Sequence, residues 1–368
     1  MKKIGIVTWH YNPNYGGLLQ AYALQETIKK IGYKPEFINY RHDLNTFKKR
    51  LIRRIKDIYM MLFRHEIYSG RRKKLKFVKN NLSVSPPCYS YDNLKENANK
   101  IYNAGVCGSD QIWSNNNGVN TFYYLEFLNQ EKRISYAPSI GYNFIPDSIQ
   151  GQFKEYVQSI KHLSIREEKG AEIIKSITGR DAKVVLDPSL LLTKTEWLKV
   201  IKGKERVSPT EKYILLYILG DNEEQVKYAK QLSRSTGYKL IALETKYGKI
   251  KDLEVINGDP FDFVELVNNA SYVLTDSFHG VAFSINFEKQ FAVFKRFKDD
   301  EKKSQNSRIY NILNKTKLID RLITADRLVS FIEQNSIDYK DIRPLLEAER
   351  QYSLDFLTES IKDIVGQI

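Results

Sequence analysis

The sequence predicts an α/β protein made of two Rossmann-like, doubly wound domains and ending in a C-terminal amphipathic helix. Three observations support this fold class. Short apolar, β-rich runs alternate with helical patterns, the alternation starts again after residue 200, and 368 residues exceed what one ordinary core holds. We therefore predict an N-terminal domain at 1–200 and a C-terminal domain at 201–368.

The first predicted unit is a β-α-β crossover at the start of the chain. Residues 3–9, "KIGIVTW", are apolar and rich in β-formers, as expected of a buried strand. Apolar residues then recur at helical spacing from Ala21 to Ile31, and Gly32 supplies a helix stop. "KPEFINY" (34–40) follows as the next strand. Such a crossover implies a parallel sheet with the helix on one face.

The alternation continues through both halves of the chain. Strands are predicted at 104–110, 133–141, 162–167 and 182–192, and then at "KYILLYIL", "KLIAL", "SYVLTD" and "FAVF". The last segment, 344–368, has apolar residues at helical spacing, which predicts the terminal amphipathic helix. Two such domains with a cleft between them correspond to the glycosyltransferase-B layout.

The composition is that of a folded, globular protein. Hydrophobic residues make up 42% of the chain and aromatic residues 12%. Cys88 and Cys107 show neither zinc-site spacing nor a disulfide framework, so no metal is predicted. No run of eighteen apolar residues occurs, and the first residues contain no long apolar signal region. We expect a cytoplasmic protein, with peripheral contact to the inner membrane face as an extension of that expectation.

The net charge of +14 is concentrated in a basic insert at 44–80. Between residues 41 and 80 there are fourteen Lys/Arg and three acidic residues, whereas the rest of the chain is nearly balanced. Within the insert, Leu51, Ile55, Ile58 and Leu62 recur three or four residues apart, which predicts an amphipathic helix. Two interpretations stay open: a packed helix with a solvated basic side, or contact with an anionic membrane surface. A nucleic-acid partner is not expected, because the charge is local and no nucleic-acid motif accompanies it.

Candidate binding residues follow the first and third predicted strands. Ligands of open parallel sheets bind beyond the carboxyl ends of the strands, where helix N-termini converge. Asn14, Gly16 and Gly17 open the first helix and allow a ligand close to the backbone, although a tight turn explains them equally well. Asp110 offers a carboxylate to a sugar hydroxyl or caps a helix, and Trp113 is either a stacking platform for a sugar or a core residue.

Two further strand ends carry groups suited to catalysis. Arg166 ends a short strand, where it suits a bidentate grip on carboxylate or phosphate; a surface ion pair with the following glutamates is the alternative. His279, in "TDSFHG", falls at a predicted helix start, with Asp276 able to orient its ring. Asp276 and Ser277 are otherwise plain helix caps. Asp187 precedes a proline and is predicted to shape a turn.

Positive charge is predicted to collect near the end of the second sheet. Lys295 and Arg296 follow "FAVF", and Arg308 lies in "QNSRIY". A donor anion or a merely solvated basic rim would account for these residues.

Seven motifs in one order resemble the polysaccharide pyruvyl transferase family. They run from about residue 4 to 313 and are "NPNYGGLLQAYALQ", "GSDQIW", "ISYAPSIG", "SIREEKG", "VVLDPSLLL", "TDSFHGVAFSI" and "NSRIYNIL". The resemblance implies a two-domain enzyme that moves the enolpyruvyl unit of phosphoenolpyruvate onto two hydroxyls of a glycan sugar, forming a cyclic ketal. It implies no metal or redox cofactor, and a glycan acceptor that we expect to be lipid-linked.

The resemblance also suggests roles for residues of this chain. The family's cleft arginine, in an S-x-R-[DE] pattern, corresponds to Arg166, and its histidine corresponds to His279. We expect His279 to transfer protons with Asp276 or Asp110 as partner. The expected donor-binding residues are Arg166, Ser277, Lys295, Arg308, Asn14, Gly16 and Gly17, and the expected acceptor-binding residues are Trp113 and Tyr15.

Two positions depart from the family pattern. Ser277 stands where better-known members carry the arginine of R-L-H, and Gly17 stands where many have aspartate. Lys295, Arg296 or Arg308 is the candidate to replace the missing charge. The rival functions are a nucleotide-sugar glycosyltransferase and a non-catalytic glycan-binding protein.

Overall fold

The computed structural model describes residues 1–11, 14–114, 118–203, 209–220, 223–244, 253–301, 304–323 and 329–366. The elements of the first half are β1 (Lys3–Val7), α1 (Tyr15–Lys30), β2 (Lys34–Phe37), α2 (Phe47–Phe63), α3 (His65–Asn81), α4 (Tyr91–Ile101), β3 (Ala104–Cys107), β4 (Arg133–Ser135), α5 (Asp147–Gln158), β5 (Ser164–Ile165), α6 (Glu168–Thr178), β6 (Lys183–Val184) and α7 (Lys194–Ile201).

The elements of the second half are β7 (Tyr213–Tyr217), α8 (Glu223–Thr236), β8 (Lys239–Leu243), β9 (Glu254–Ile256), α9 (Pro260–Asn269), β10 (Tyr272–Thr275), α10 (Phe278–Asn286), β11 (Gln290–Phe294), α11 (Ser307–Lys315), β12 (Leu322–Ile323), α12 (Ser330–Gln334) and α13 (Ile342–Val365). The domain boundary near residue 200 stays a prediction; α7 ends at Ile201.

A parallel sheet forms the centre of the first half, with strand order β2-β1-β3-β4. Ile4 of β1 lies opposite Pro35 of β2 on one side and Ala104 of β3 on the other. β5 and β6 pair in parallel as a separate two-stranded sheet beside β4. Because β1 and β3 are almost wholly buried and apolar, they fit the covered interior of an α/β layer.

The second half contains a parallel sheet with strand order β12-β11-β10-β7-β8-β9. β10 lies between β7 and β11, so the segment that follows it leaves from the middle of the sheet. Local sequence sets the helix starts: Asp259 caps α9 and forms a capping box with Asp262, and Pro260 occupies the first turn.

The terminal helix, α13, reaches back to the first half of the chain. Ser353 Oγ accepts a hydrogen bond from the backbone N–H of Leu186 at 2.9 Å, and Arg350 Nε donates to the carbonyl of Leu190 at 2.7 Å. These bonds attach α13 to the first half, and Arg350 Nη2 also donates to Asn286 Oδ1 of the second half at 3.1 Å, so the predicted placement of this helix in the second domain stays a prediction. Its buried residues are both apolar and polar, and its amphipathic character stays a prediction.

The basic insert forms two helices, α2 and α3, where the sequence predicts one. α3 buries Phe77 and Val78 in a hydrophobic core that contains residues of both halves of the chain, whereas no residue of α2 is buried. Among the described residues, no helix has the length and apolar character needed to cross a membrane.

Candidate active site

The starts of α1 and α10 touch each other across the two halves of the molecule. Asn14 caps α1, with its side-chain oxygen accepting from the backbone N–H groups of Gly16 at 3.0 Å and Gly17 at 3.4 Å. Gly16 lies directly against the ring of His279: a Cβ on Gly16 would lie 2.2 Å from His279 Cγ and Nδ1. Glycine at position 16 is therefore what allows the two helix ends to meet.

Asp187 holds together side chains from three strand ends. Its Oδ2 accepts from Arg166 Nη1 at 2.7 Å and from Ser109 Oγ at 2.9 Å, and it lies 3.7 Å from His279 Nε2. We call Ser109, Arg166, Asp187 and His279 the interdomain cluster. These residues follow β3, β5, β6 and β10, so the carboxyl ends of strands from both halves converge here, as the sequence predicts for a ligand site.

The charge state of Asp187 follows from its surroundings. Burial alone would raise the pKa of this carboxyl group. The proximity of His279, the charge of Arg166 and the backbone N–H of Ser189 outweigh burial and hold the pKa of Asp187 well below its usual range. Asp187 is therefore a carboxylate at any physiological pH. It also caps the turn at 188–190, with Oδ1 accepting from Ser189 N at 3.0 Å, so the predicted turn role is confirmed but incomplete.

Arg166 is 2% exposed and only partly paired. Its Nη1 is bound to Asp187, whereas Nε and Nη2 have no hydrogen-bond partner among the described residues. Nε and Nη2 form one edge of the guanidinium plane, the edge that binds a carboxylate or phosphate through two parallel hydrogen bonds. The ring of Phe278 lies 4.4 Å from the guanidinium carbon and supports its flat face.

Glu167 lies beside the free edge of Arg166. Its Oε1 accepts from Ser139 Oγ and from the backbone N–H groups of Ile140 and Gly141, at 2.9 to 3.1 Å. Its Oε2 lies 4.0 Å from Arg166 Nε. Glu167 thus fixes the 139–141 loop, and it is not a surface ion-pair residue as the alternative sequence interpretation supposed.

His279 is 6% exposed and lies in the first turn of α10. Ser277 holds the N-cap position but makes no side-chain cap bond, so the first-turn N–H groups of α10 are not satisfied by that side chain. His279 Nε2 has no hydrogen-bond partner within bonding distance in the described chain. Free donors at a helix start favour an anion in their vicinity.

Asp276 is not the partner of His279, contrary to the expectation from sequence. Its carboxylate accepts from the backbone N–H groups of Leu219 at 2.7 Å and Gly220 at 2.8 Å, and from Arg296 Nε at 3.2 Å. Asp276 therefore ties the end of β10 to the end of β7, and the carboxylate near His279 is Asp187. Although Asp276 is only three residues before His279, its side chain points toward the end of β7 and not toward the imidazole ring.

Among the predicted basic residues, Arg308 lies near the cluster, whereas Arg296 binds Asp276 and Lys295 binds Asp299. Lys295 Nζ binds Asp299 at 2.7 Å. Arg308, half-buried, donates to the side chain of Gln305 at 3.1 Å. Burial, and then the positive charge of Arg166, lower the pKa of Arg308, whereas Glu167 and Asp110 act in the opposite sense. These mutual effects place Arg308 within electrostatic range of Arg166.

The half-buried side chain of Asp110, which follows β3, lies next to the first turn of α1. A Cβ on Gly17 would lie 3.0 Å from Asp110 Oδ2, and Asp110 Oδ1 accepts from the backbone N–H of Gln111 at 2.9 Å. Glycine at position 17 therefore leaves room for this carboxylate.

Both predicted acceptor-binding aromatics are core residues. Trp113 is 1% exposed, stacks on Tyr124 at 4.9 Å between ring centroids, and donates Nε1–H to the carbonyl of Tyr123. Tyr15 stacks on Phe263 and donates its hydroxyl to the carbonyl of Gly258 at 3.2 Å. Neither ring has a free face for a sugar, so these two assignments are wrong.

Comparisons with solved structures reveal the fold. A UDP-GlcNAc 2-epimerase from Methanocaldococcus jannaschii is 12% identical, with a TM-score of 0.53 over 93% of this chain and 94% of that chain. A UDP-GlcNAc 2-epimerase from Neisseria meningitidis is 9% identical, with a TM-score of 0.50 over 98% and 99% of the two chains. At these identities the similarity concerns the fold alone, and it agrees with the predicted α/β, glycosyltransferase-B-like class.

Sequence comparison is more specific. No curated protein matches the chain. The sequence profile of the polysaccharide pyruvyl transferase family matches residues 14–296, a segment that runs from the cap of α1 to Arg296 and includes the interdomain cluster. With more than half of its length matched, the chain belongs to the polysaccharide pyruvyl transferase family and is a transferase.

Proposed function

We propose that this protein transfers the pyruvyl unit of phosphoenolpyruvate to two hydroxyls of a glycan sugar, forming a cyclic ketal. The observation that carries the proposal is the free Nε/Nη2 edge of the buried Arg166, next to His279 and the start of α10. Phosphoenolpyruvate offers a carboxylate and a phosphate, and either group matches that edge. The reaction requires no cofactor beyond this co-substrate.

In the proposed mechanism, Arg166 binds an anionic group of the donor while Asp187 fixes its direction. Arg308 and the first-turn N–H groups of α10 supply further donors, in place of the family arginine that Ser277 replaces. Charge that is already in position favours a reaction in which charge develops on the donor.

His279 is the proposed acid. It gives a proton to the methylene carbon of the donor, which becomes a methyl group, and the adjacent carbon becomes electron-poor. A sugar hydroxyl then forms a C–O bond to that carbon and returns its proton to His279. A second hydroxyl attacks as the C–O bond to phosphate breaks, its proton leaves with the phosphate, and the ketal ring closes. Asp187 Oδ2 lies 3.7 Å from Nε2 of this ring.

Calorimetry with the purified chain tests the donor. Phosphoenolpyruvate should bind, and Arg166→Ala should abolish that binding. If the protein shows no binding of phosphoenolpyruvate but binds a nucleoside diphosphate, it would instead be a nucleotide-sugar glycosyltransferase. Binding of glycan alone would identify a non-catalytic glycan-binding protein.

Replacement of the proposed acid tests the chemistry. His279→Ala should reduce turnover by about 10²- to 10⁴-fold while donor binding changes little. The product is followed by mass analysis of the acceptor, which gains one pyruvyl ketal. Near-normal turnover of this variant would remove His279 from the mechanism.

The acceptor in this proposal is a lipid-linked glycan, modified by a cytoplasmic enzyme. The exposed basic helix α2 supports this choice, because it would hold the enzyme near anionic lipid. A lipid-linked acceptor should then give a higher kcat/KM than the same glycan released from lipid. Equal values would leave pyruvyl transfer intact and exclude the lipid requirement.

A further inference from the structure

Helix α2 exposes its apolar side and turns its polar side toward the protein. An ordinary surface helix does the reverse, since its apolar stripe covers the core. The exposed fractions are 75% for Phe47, 57% for Ile55, 64% for Leu62 and 68% for Phe63. Within the described part of the chain, no α2 residue is buried.

Two contacts of α2 with the rest of the molecule come from its polar side. Asp57 accepts from Arg71 of α3 at 2.7 Å, and the Arg50 guanidinium lies 4.9 Å from the ring of Tyr89. At about 100° per residue, Asp57 and Arg50 share one side of the helix, opposite Ile55 and Leu62. The side of α2 that faces solvent is therefore the apolar one.

Basic side chains flank this apolar side. α2 contains six Lys/Arg and one acidic residue, and Asp57 is already bound to Arg71. By helical position, Arg54 and Lys56 border the apolar side on opposite edges, and Lys48 lies within it near the N-terminus. All three residues are exposed. A broad apolar side with cationic borders is the pattern of helices that lie flat in a membrane interface.

α3 attaches this helix to both halves of the protein. Lys74 of α3 is buried, with Nζ 3.6 Å from Glu244 Oε2 after β8 and 4.2 Å from the centre of the Tyr15 ring. Lys73 donates to the carbonyl of Asn257, also in the second half. A close approach at Gly70, where a Cβ would overlap Glu244, fits α3 tightly at this junction. α2 is thus carried on a well-packed helix rather than on a loose one.

We propose that α2 is a docking surface for an anionic lipid bilayer, in which it lies parallel to the membrane plane. Charge selects this partner over a second copy of the chain. Two copies meeting at α2 would bring like charges together, whereas anionic headgroups attract them. The inference does not depend on the proposed pyruvyl transfer.

Vesicle flotation of the full-length protein tests the proposal. The probes are phosphatidylcholine vesicles with and without one third phosphatidylglycerol. Binding should require the anionic lipid and weaken as salt rises. Lys48→Gln/Arg54→Gln/Lys56→Gln should reduce partitioning by roughly 100-fold, and Ile55→Ser/Leu62→Ser by roughly tenfold or more.

Matched variants elsewhere on the surface separate a local effect from a general one. Lys169→Gln/Lys175→Gln/Lys227→Gln removes the same charge from α6 and α8, and Ile101→Ser/Ile319→Ser removes two similarly exposed apolar residues. Both should partition like the unaltered protein. Equal losses in control and α2 variants, equal binding to neutral vesicles, or no binding at all would overturn the proposal.

Light scattering after size exclusion examines the second-copy alternative. The unaltered chain and Ile55→Ser/Leu62→Ser should have the same mass in solution. A dimer that this double variant converts to a monomer would show that α2 binds protein instead, and would overturn the proposal.

Discussion

Arg166 and Asp187 form a buried ion pair, with 2.7 Å between Nη1 and Oδ2. Such pairs add little net stability, because desolvation of both charges offsets their attraction. Here the pair orients the Arg166 side chain. The bond to Asp187 uses Nη1 and leaves Nε and Nη2 without a hydrogen-bond partner among the described residues. The pair also joins the end of β5 to the end of β6, next to a helix of the other half.

Loss of the Asp187 carboxylate should destabilise the protein strongly. Asp187→Ala removes the carboxylate that is hydrogen-bonded to the buried Arg166 and leaves only Glu167, 4.0 Å from Nε, which costs about 3–5 kcal/mol in free energy of unfolding. Urea titration measures the change. Asp181→Ala removes an exposed carboxylate paired with Lys175 and should cost about 1 kcal/mol or less. Similar losses in the two variants would mean that Asp187 does not neutralise Arg166.

Arg166→Lys should separate charge from geometry. Lysine retains the positive charge but cannot offer two parallel N–H groups, so KM for the donor should rise roughly 10- to 100-fold. Steady-state kinetics with varied donor gives the value. Arg180→Lys is the control, because Arg180 binds backbone carbonyls such as those of Val157 and Ile160. An unchanged KM in Arg166→Lys would exclude bidentate binding.

The contact between Gly16 and His279 predicts a sharp effect of one methyl group. Gly16→Ala places a Cβ 2.2 Å from the imidazole, so the helix starts must separate and both activity and stability should fall, the latter by about 1–3 kcal/mol. Gly151→Ala, in the exposed interior of α5 with no neighbouring atom within 4 Å, should instead be neutral or stabilise by about 0.5–1 kcal/mol. Thermal unfolding and turnover, measured side by side, distinguish the two outcomes.

His10 predicts a pH dependence of stability below neutrality. Burial lowers its pKa to about 4, with opposing and supporting contributions from the Thr8 carbonyl and Arg41. The unfolded chain takes up this proton near pH 6.5, whereas the folded chain does not until about pH 4. Stability from this residue is therefore complete above pH 6.5 and falls by about 1.4 kcal/mol per pH unit as the pH drops toward 4.

Variants of two histidines check this slope. His10→Asn keeps a donor near the Thr8 carbonyl but cannot titrate, so the slope between pH 6.5 and 4 should flatten. His162→Asn, at the partly exposed His162–Asp363 pair, should leave the slope in place. A slope unaffected by His10→Asn would assign the titration to another group.

Much of the fold was predictable because its signals are local. The apolar β1 run, the helical spacing in α1 and the Asp259–Pro260 start of α9 each lie within a few consecutive residues. Arg166 and His279 also converge as expected, at Asp187, because each follows the carboxyl end of a parallel strand and these ends of two different sheets meet there.

The partners of these residues were less predictable, because they come from other strands. Asp187 resembles an ordinary turn aspartate before proline, and only the packing of the two halves brings its second oxygen to His279. Its one available signal was position, inside the predicted strand 182–192 and directly before a proline. Trp113 and Tyr15 were predicted to bind the acceptor but lie in the core. An aromatic side chain near a strand end can point inward, and its neighbours in sequence do not determine that direction.

The course of α13 has a consequence for how the molecule must be handled. Its last residues reach the other terminus, where Lys2 donates to the carbonyl of Val365 and Tyr33 to that of Gly366. Hydrogen bonds to residues 365 and 366 therefore connect the end of α13 to the first β-α-β unit. A fragment ending at residue 200 would lack the cover over Leu186 and Leu190, so the smallest unit suited to isolation is the entire chain.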